Sequence, residues 1–580
     1  MSKMTIRGAE HPIKKIFSDD FFFRIPLYQR AYAWTTEESE QLLEDLLRAM
    51  EGDDDSIDEL PPYFLGSIVL IKSDDNVSES DIVGGQQRLT TLTMLLATIR
   101  SLIKSEYVDG LTSFLCEKGN VVTGIPRRYR LRLRERDAEF FQKYIQDEDA
   151  IKALKKLEGL QLPDSQRNIR DNTIGFVREL EKLSENQLIS LTQFIVNRCF
   201  LIVVTVSDPN LDSAYRIFSV LNGRGLNLSY SDILKAEIIS KVQPDKQNDY
   251  VTKWEEMESN ILGSETFDEL FTYLRAIFSR KRPMKGMIEE FKQYVFPGNP
   301  PVPTPQEFID KILLRYGHAL NNIVKANYQG LPMSKEIKSK EIKEIKEINN
   351  MFKWLNQLDH KKWIPPALFY FSKNWHQPQQ VLRFLVDLER LVISFMICRV
   401  PPYRRMDRYY DLLQYIHEEK DLYTPDSPLQ LKPRECADVL KALSGNMYFI
   451  PHVCCYVLLR LDSRLSEGVA SYDFETISVE HILPQRPAPN SNWVKMFPTQ
   501  EMREKYVHRL GNLVLLSSAK NLRAENYDFD EKKYKYFRSD GGISPFALTT
   551  DVLHYQEWTP IVIDQRQRKL IGMLKHLWRL

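Results

Sequence analysis

Apolar and polar positions change rhythm three times along the chain. Over the first 240 residues, short apolar runs alternate with helical stretches. Tyr63 to Ile71 (YFLGSIVLI) and Leu201 to Val206 (LIVVTV) are rich in β-branched residues and predict buried strands. The segment from Leu89 (LTTLTMLLATIRSLI) repeats its apolar residues at helical spacing. Tyr215 to Leu221 and Ser231 to Ile239 predict helices separated by an Asn-Gly-Arg-Gly turn. Tyr129 to Arg136 (YRLRLRER) alternates strictly. Arg130, Arg132, Arg134 and Arg136 share one face and Leu131 and Leu133 the other, which predicts a half-buried strand. Its basic face suits either a phosphate stripe or an edge charged against aggregation.

From about residue 245 to 470 the pattern is helical and punctuated by proline-rich breaks (PGNPPVPTP, IPP, VPP). KEIKSKEIKEIKEI from Lys335 predicts a solvated helix laced with Glu–Lys pairs, its isoleucines packing on a neighbour. The most membrane-like run, Leu391 to Cys398, is closed by Arg390 and Arg399. It falls short of the roughly 20 apolar residues that span a bilayer, and predicts a buried core helix. In the last 110 residues a strand-like FETISV leads into Glu480-His481. A Pro/Asn-rich loop follows, then an apolar strand (NLVLL) and a polar helix. The expectation is an α+β multidomain protein, with an α/β region over 1–240, a helical connecting region over 241–470 and a third domain over 471–580.

Composition narrows the classes. At roughly 150 residues per domain, 580 residues make two to four domains. A hydrophobic content of 43% excludes a largely disordered or collagen-like chain. The 79 Lys and Arg balance 79 Asp and Glu, so nucleic acid is not coated non-specifically and any contact must be local. A mild basic cluster, Lys532, Lys533, Lys535 and Arg538, is the candidate DNA-backbone footprint. The six cysteines form no CxxC pair, against a zinc knuckle or disulfide framework. The start, MSKMTIRGAEHPIKK, has no apolar signal core. A cytoplasmic, prokaryotic protein that does not enter membranes is expected.

The densest chemistry lies near the end of the chain. ISVEHILPQ from Ile477 and LGNLVLLSSAKN from Leu510 give a strand ending in acid-His, a proline-bounded loop, a strand after Asn512, and then Asn521. A surface histidine among loop asparagines is the plain alternative. The joint pattern resembles the ββα-metal (HNH) nuclease motif. That resemblance implies His481 as general base, Glu480 and Asn521 as ligands of one Mg2+ or Mn2+, and Asn512 bracing the loop that carries His481. Phosphodiester hydrolysis suits these residue types: an imidazole takes the proton of water, and a hard cation on oxygen ligands neutralises developing charge. Glu480 and His481 are neighbours on a strand and face opposite sides, so they serve one site only if the strand twists or ends at His481. A strand-end histidine is expected at a cleft, outside the core. The match continues through Asn526, Phe529, Lys532, Lys533, Trp558, Ile563 and Arg566, and resembles the nuclease domain of the GmrD type.

Three N-terminal motifs form a second constellation: IPLYQRAYAW from Ile25, IVGGQQRLTTL from Ile82, and AYRIFSVLNGRGLNLSYSDILK from Ala214. A glycine turn opening a helix, with Gly85, Gln86, Gln87, Arg88, Thr90 and Thr91, suits phosphate binding through backbone N–H groups and a guanidinium. A plain turn is the alternative for the glycines alone. Together the motifs resemble the GmrS-type domain, a ParB/sulfiredoxin-like fold that joins nucleotide binding and hydrolysis to sensing of modified DNA. The resemblance places Tyr28, Gln29 and Arg30 in the same pocket, with Asn222, Arg224 and Lys235. The family signature is Asp-Gly-Gln-Gln-Arg, and here Gly84 stands in place of the aspartate. Binding is therefore expected to survive better than hydrolysis.

The whole chain thus resembles a fused GmrSD-type modification-dependent (type IV) restriction endonuclease. The resemblance implies a nucleoside triphosphate (GTP, UTP, CTP or ATP), modified DNA as substrate, and possible homo-oligomers. A nucleotide-responsive regulator with a vestigial nuclease site and an RNase toxin are the rival classes.

Overall fold

The computed structural model describes the chain apart from residues 1–4, 27–28, 51–56, 58, 73–76, 105, 120–126, 158–161, 208–229, 299–301, 330–338, 359, 467–476, 518–525, 535–537 and 540–541. It is an α+β protein, mostly helical with a small sheet, that divides into two compact units, Met1–Glu256 and Met257–Leu580.

In the first unit the apolar runs become a mixed six-stranded sheet. Its strands are β1 (Thr5–Pro12), β2 (Phe22–Arg24), β3 (Tyr63–Ile71), β4 (Glu79–Gly84), β7 (Leu131–Arg132) and β8 (Cys199–Ser207), in the order β1-β8-β3-β4-β2-β7. A separate two-stranded ribbon joins β5 (Cys116–Glu117) to β6 (Arg128–Tyr129). The β3–β8 pairing is parallel and central; Ile68, Val69, Leu70, Leu201, Val203 and Val206 are buried in it, while Phe64 and Ile202 are exposed. The helix Gln86–Leu102 follows β4 and is buried along nearly its whole length, the fate of a helix without a polar face.

The alternating YRLRLRER segment departs from expectation. Its strand shrinks to short pieces, and the helix Glu135–Phe141 begins inside it. The arginine face is not uniformly outward either. Arg130 and Arg134 are buried because each meets a carboxylate, Asp19 for the first and Asp137 and Glu255 for the second.

In the second unit two helices, Ile364–Asn374 and Pro402–His417, start at the IPP and VPP breaks, and three more begin at prolines outside those breaks. Ile364–Asn374, Pro378–Ile397, Pro402–His417, Pro433–Leu443 and Pro451–Leu465 all carry proline in the first turn, where the missing N–H costs nothing. Leu391, Val392 and Ile393 are fully buried, as expected of a core helix, and among the described residues no helix is long and apolar enough to cross a membrane. In the helix Ser339–Asn356, Ile348 is buried while Ile342 is exposed, and Lys343 pairs with Glu347 at 4.0 Å.

Near the end of this unit β9 (Ile477–His481) pairs antiparallel with β10 (Leu513–Ser517), with His481 opposite Leu513 and Glu480 opposite Val514. Ile482, Leu483, Trp493, Phe497, Val514 and Trp558 build the core behind this ribbon. The helix Pro560–Trp578 closes over Gly511 so tightly that a Cβ there would lie 2.5 Å from the Ile563 carbonyl oxygen, which fixes glycine at that position.

Candidate active site

His481 is the last residue of β9, so the chain turns immediately after it. The turn is held by Asn512. The Asn512 amide group accepts from the Leu483 N–H at 2.8 Å and from the Trp558 indole N–H at 3.0 Å. It donates to the carbonyls of Leu483 at 3.0 Å and Val507 at 2.8 Å. The Asn512 side chain is fully buried and all of its bonding capacity goes to this bracing. Gly511 and Leu513 are clamped in turn by Arg566, which donates to both carbonyls at 2.8 and 2.9 Å, and by Gln567, which accepts from the Gly511 N–H at 2.5 Å.

The imidazole of His481 is only 5% exposed, a buried group rather than one standing open at a cleft. Its Nε2 is 3.3 Å from Nδ1 of His508, and its Nδ1 is 3.3 Å from the side-chain amide nitrogen of Gln485. The Tyr448 ring meets it edge-on at 4.2 Å. Burial, with the neighbouring His508 and the Lys532 ammonium, depresses its pKa to about 3, so the ring is neutral.

Glu480 points to Lys532. The ammonium donates to Glu480 Oε1 and to the His481 carbonyl, each at 2.7 Å. Lys532, expected in a surface cluster, is 1% exposed and faces inward. Lys533 donates to the Tyr555 carbonyl at 3.3 Å and pairs with Asp530 at 2.9 Å. Asn521 and Lys535 lie outside the described residues. Among the described residues no group of three or more His, Cys, Asp or Glu side chains is disposed to hold a metal ion. Glu480 carries oxygen donors of the kind a hard cation takes, but in this structure its Oε1 is engaged by the Lys532 ammonium.

His508, Gln485, Tyr448 and the inward role of Lys532 were not read from the sequence. His508 stands four residues before Asn512 and Gln485 four after His481, so their closeness to the motif was the available signal. Nothing in the pattern pointed to Tyr448.

In the first unit, Gly85 begins the helix Gln86–Leu102 with φ +87°, in the region that favours glycine. The polar side chains after it mostly tie the helix to the 29–34 segment. Gln87 accepts from the Ala33 N–H at 2.8 Å and donates to the Ala31 carbonyl at 3.0 Å. Gln86 donates to the Arg30 carbonyl at 3.1 Å, and Gln29 to the Val83 carbonyl at 3.2 Å. Thr90 bonds back to the Gln86 carbonyl, and Thr91 to Tyr32, both at 2.8 Å. Arg88 is half-buried and donates to the Ser67 carbonyl at 3.3 Å; among the described residues no carboxylate pairs with it. Gly66, at φ +105°, passes close enough that a Cβ would meet the Arg88 guanidinium at 2.9 Å. Lys235 is 1% exposed and bound at 2.9 Å to the Glu255 carboxylate oxygen that also pairs with Arg134. Tyr28, Asn222 and Arg224 lie outside the described residues.

Comparison with known proteins finds a family match over each of the two regions. The family model for the N-terminal domain of GmrSD restriction endonucleases matches residues 13–239. The model for the C-terminal domain of the same endonucleases matches residues 437–573. No curated protein matches the chain. With both domains of one family present in order, the chain belongs to the GmrSD restriction endonuclease family.

Proposed function

We propose that this chain is a DNA endonuclease of the modification-dependent restriction and phage-defence class. On this reading an HNH-type centre at the end of β9 hydrolyses the phosphodiester, and a ParB-like N-terminal unit binds a nucleoside triphosphate and regulates cleavage. The observation that carries the reading is His481: a neutral imidazole at a strand end, with the turn after it fixed by Asn512. A bare ring nitrogen can accept the proton of water as it attacks phosphorus. The negative charge of a phosphodiester brought alongside raises the basicity of His481 when it is needed. Bound Mg2+ or Mn2+ would supply charge neutralisation at the phosphate oxygens. Glu480 and Asn521 are the residues that would hold it.

In the N-terminal unit, Arg88 and the helix N-terminus at Gly85 support an anion. The buried Oε1 of Gln86, which has no hydrogen-bond partner among the described residues, is an acceptor and suits a base or ribose donor rather than the phosphates. Gly84 offers no oxygen ligand, so binding without brisk hydrolysis is the expected behaviour.

The test is cleavage of modified and unmodified DNA with Mg2+ or Mn2+, with and without nucleotide, by the wild type and by His481→Asn. Loss of about 10²–10⁴-fold in rate is expected for the variant, because the general base is gone. Undiminished cleavage by His481→Asn, or no cleavage of any DNA by the wild type, overturns the reading.

A further inference from the structure

The buried His481 is screened by two side chains that themselves face an opening. Gln485 and His508, the partners of its two ring nitrogens, both line a cleft of about 540 Å³ whose walls include Arg486, Arg503, Glu504 and Val507. His508 is held firmly. Its ring stacks on Tyr448 at 5.4 Å and 14° and lies 4.4 Å from Phe449, and its backbone ends the helix Gln500–Val507. Among the described residues no carboxylate or main-chain carbonyl hydrogen-bonds to a ring nitrogen of His481. The tautomer of His481 is therefore set by His508 and Gln485.

The geometry points to His508 as the positioning residue of the hydrolytic site, a neutral imidazole whose Nδ1 accepts the Nε2–H of His481 and so leaves the His481 Nδ1 lone pair for water. This rests on the nuclease reading above and names a part of that site which the motif does not contain. A histidine base works with one nitrogen protonated and the other bare, and the partner of the protonated nitrogen decides which is which. Here the amide N–H of Gln485 holds the bare Nδ1 at 3.3 Å, and a water from the cleft takes that place when the Gln485 side chain turns aside. When that water attacks phosphorus, its O–H bond breaks and an N–H bond forms at Nδ1, while a new P–O bond forms and the bond to the leaving oxygen breaks, that oxygen departing as an alkoxide that takes its proton from solvent. The Nε2 proton, already directed at His508, lets the second ring share the imidazolium charge, and no proton has to leave His481 before the P–O bond breaks.

The arrangement fails if His508 is itself protonated. Its Nδ1–H then faces Nε2 of His481, and the proton of His481 must move to Nδ1, the nitrogen that water needs. Tyr448 and Phe449 face His508 on one side, and Arg486, Arg503 and Glu504 share its cleft, while Lys532 faces His481 from behind. Burial places the His508 pKa below the ordinary histidine value.

The full-length chain tests this with three proteins: wild type, His508→Ala and His508→Asn. The asparagine carbonyl oxygen occupies the place of Nδ1 as an acceptor that does not titrate. In Mg2+, His508→Ala is expected to lose about 10–100-fold in kcat, the usual cost of removing a group that orients a working histidine. DNA affinity stays unchanged. His508→Asn is expected to keep most of kcat while the acid limb of its pH profile moves to lower pH. The ¹⁵N shifts of the wild-type imidazoles give a readout independent of cleavage, with His481 as the Nε2–H tautomer. Wild-type kcat and pH profile in His508→Ala, or an Nδ1–H tautomer for His481, overturns the inference. If His481→Asn is inactive while His508→Ala is unaffected, this inference falls and the nuclease reading stands. If the wild type cleaves no DNA, both fall.

Discussion

The ammonium of Lys532 lies 2.7 Å from a carboxylate oxygen of Glu480, inside the fold, with the lysine side chain 1% and the glutamate side chain 13% exposed. A motif reading makes the first a surface phosphate contact and the second a metal ligand; the structure joins them as a buried ion pair. Removing one partner of such a pair leaves a charge without compensation. Lys532→Met should lose about 3 kcal/mol of stability. Mn2+ should raise the melting temperature of Lys532→Met more than that of the wild type, because a cation at Glu480 replaces the lost ammonium. Equal Mn2+ shifts in the two proteins would count against Glu480 as a ligand.

Asn512 should matter more to stability than its polar side chain suggests. Asn512→Ala strands the Leu483 N–H and carbonyl, the Val507 carbonyl and the Trp558 indole N–H. With roughly 1–3 kcal/mol for each buried unsatisfied group, partly offset by relaxation, a loss of about 3–5 kcal/mol is expected. Asn512→Asp should also destabilise, since a carboxylate cannot donate to the two carbonyls. Urea denaturation measures both, and a midpoint like that of the wild type for either variant would contradict this account.

In the first unit Glu255 is pinned between Lys235, at 2.9 Å, and Arg134. Burial alone would raise the Glu255 pKa, but the two cations outweigh it and hold the carboxyl below its ordinary 4.5. A depressed carboxylate pKa contributes stability above the ordinary value and loses it as pH falls through the folded value. Glu255→Gln should therefore be less stable than the wild type at neutral pH, and the gap should shrink as the solution is acidified below 4.5. A gap independent of pH in denaturation curves would show that the pair contributes nothing through its charge.

Arg88 offers the test of the nucleotide pocket. Arg88→Ala should weaken triphosphate binding in calorimetry by about tenfold or more, through loss of a charge-assisted hydrogen bond. Phosphate release by the wild type should be slow at saturating nucleotide, and should rise in Gly84→Asp. Brisk and equal release by both would place the catalytic carboxylate elsewhere.

Strands and helices were legible where one physical demand ruled the sequence. Tyr63–Ile71 is a strand over the expected residues, and Ile68, Val69 and Leu70 near its end are buried on both faces as an apolar run requires, while Phe64 at its start is exposed. The 129–136 segment misled because alternation reports two faces but not what covers them. Asp19, Asp137 and Glu255, remote in sequence, bring Arg130 and Arg134 inside. At the candidate active site, adjacency was legible in Glu480-His481 and bracing in Asn512. Lys532 and His508 reach His481 from 51 and 27 residues away. Contacts over such separations arise from tertiary packing, which no local pattern encodes.

The clamp on Gly511 gives the order of synthesis a meaning. Arg566 and Gln567, which hold the peptide groups on either side of Asn512, are made more than fifty residues after the turn they secure. A nascent chain that has already exposed Glu480, His481 and Asn512 still lacks that clamp. A message broken between those points yields a product with the proposed hydrolytic side chains but not the helix that clamps their turn. On the nuclease reading, cleavage competence would follow the making of the helix Pro560–Trp578 and not of the motif residues alone.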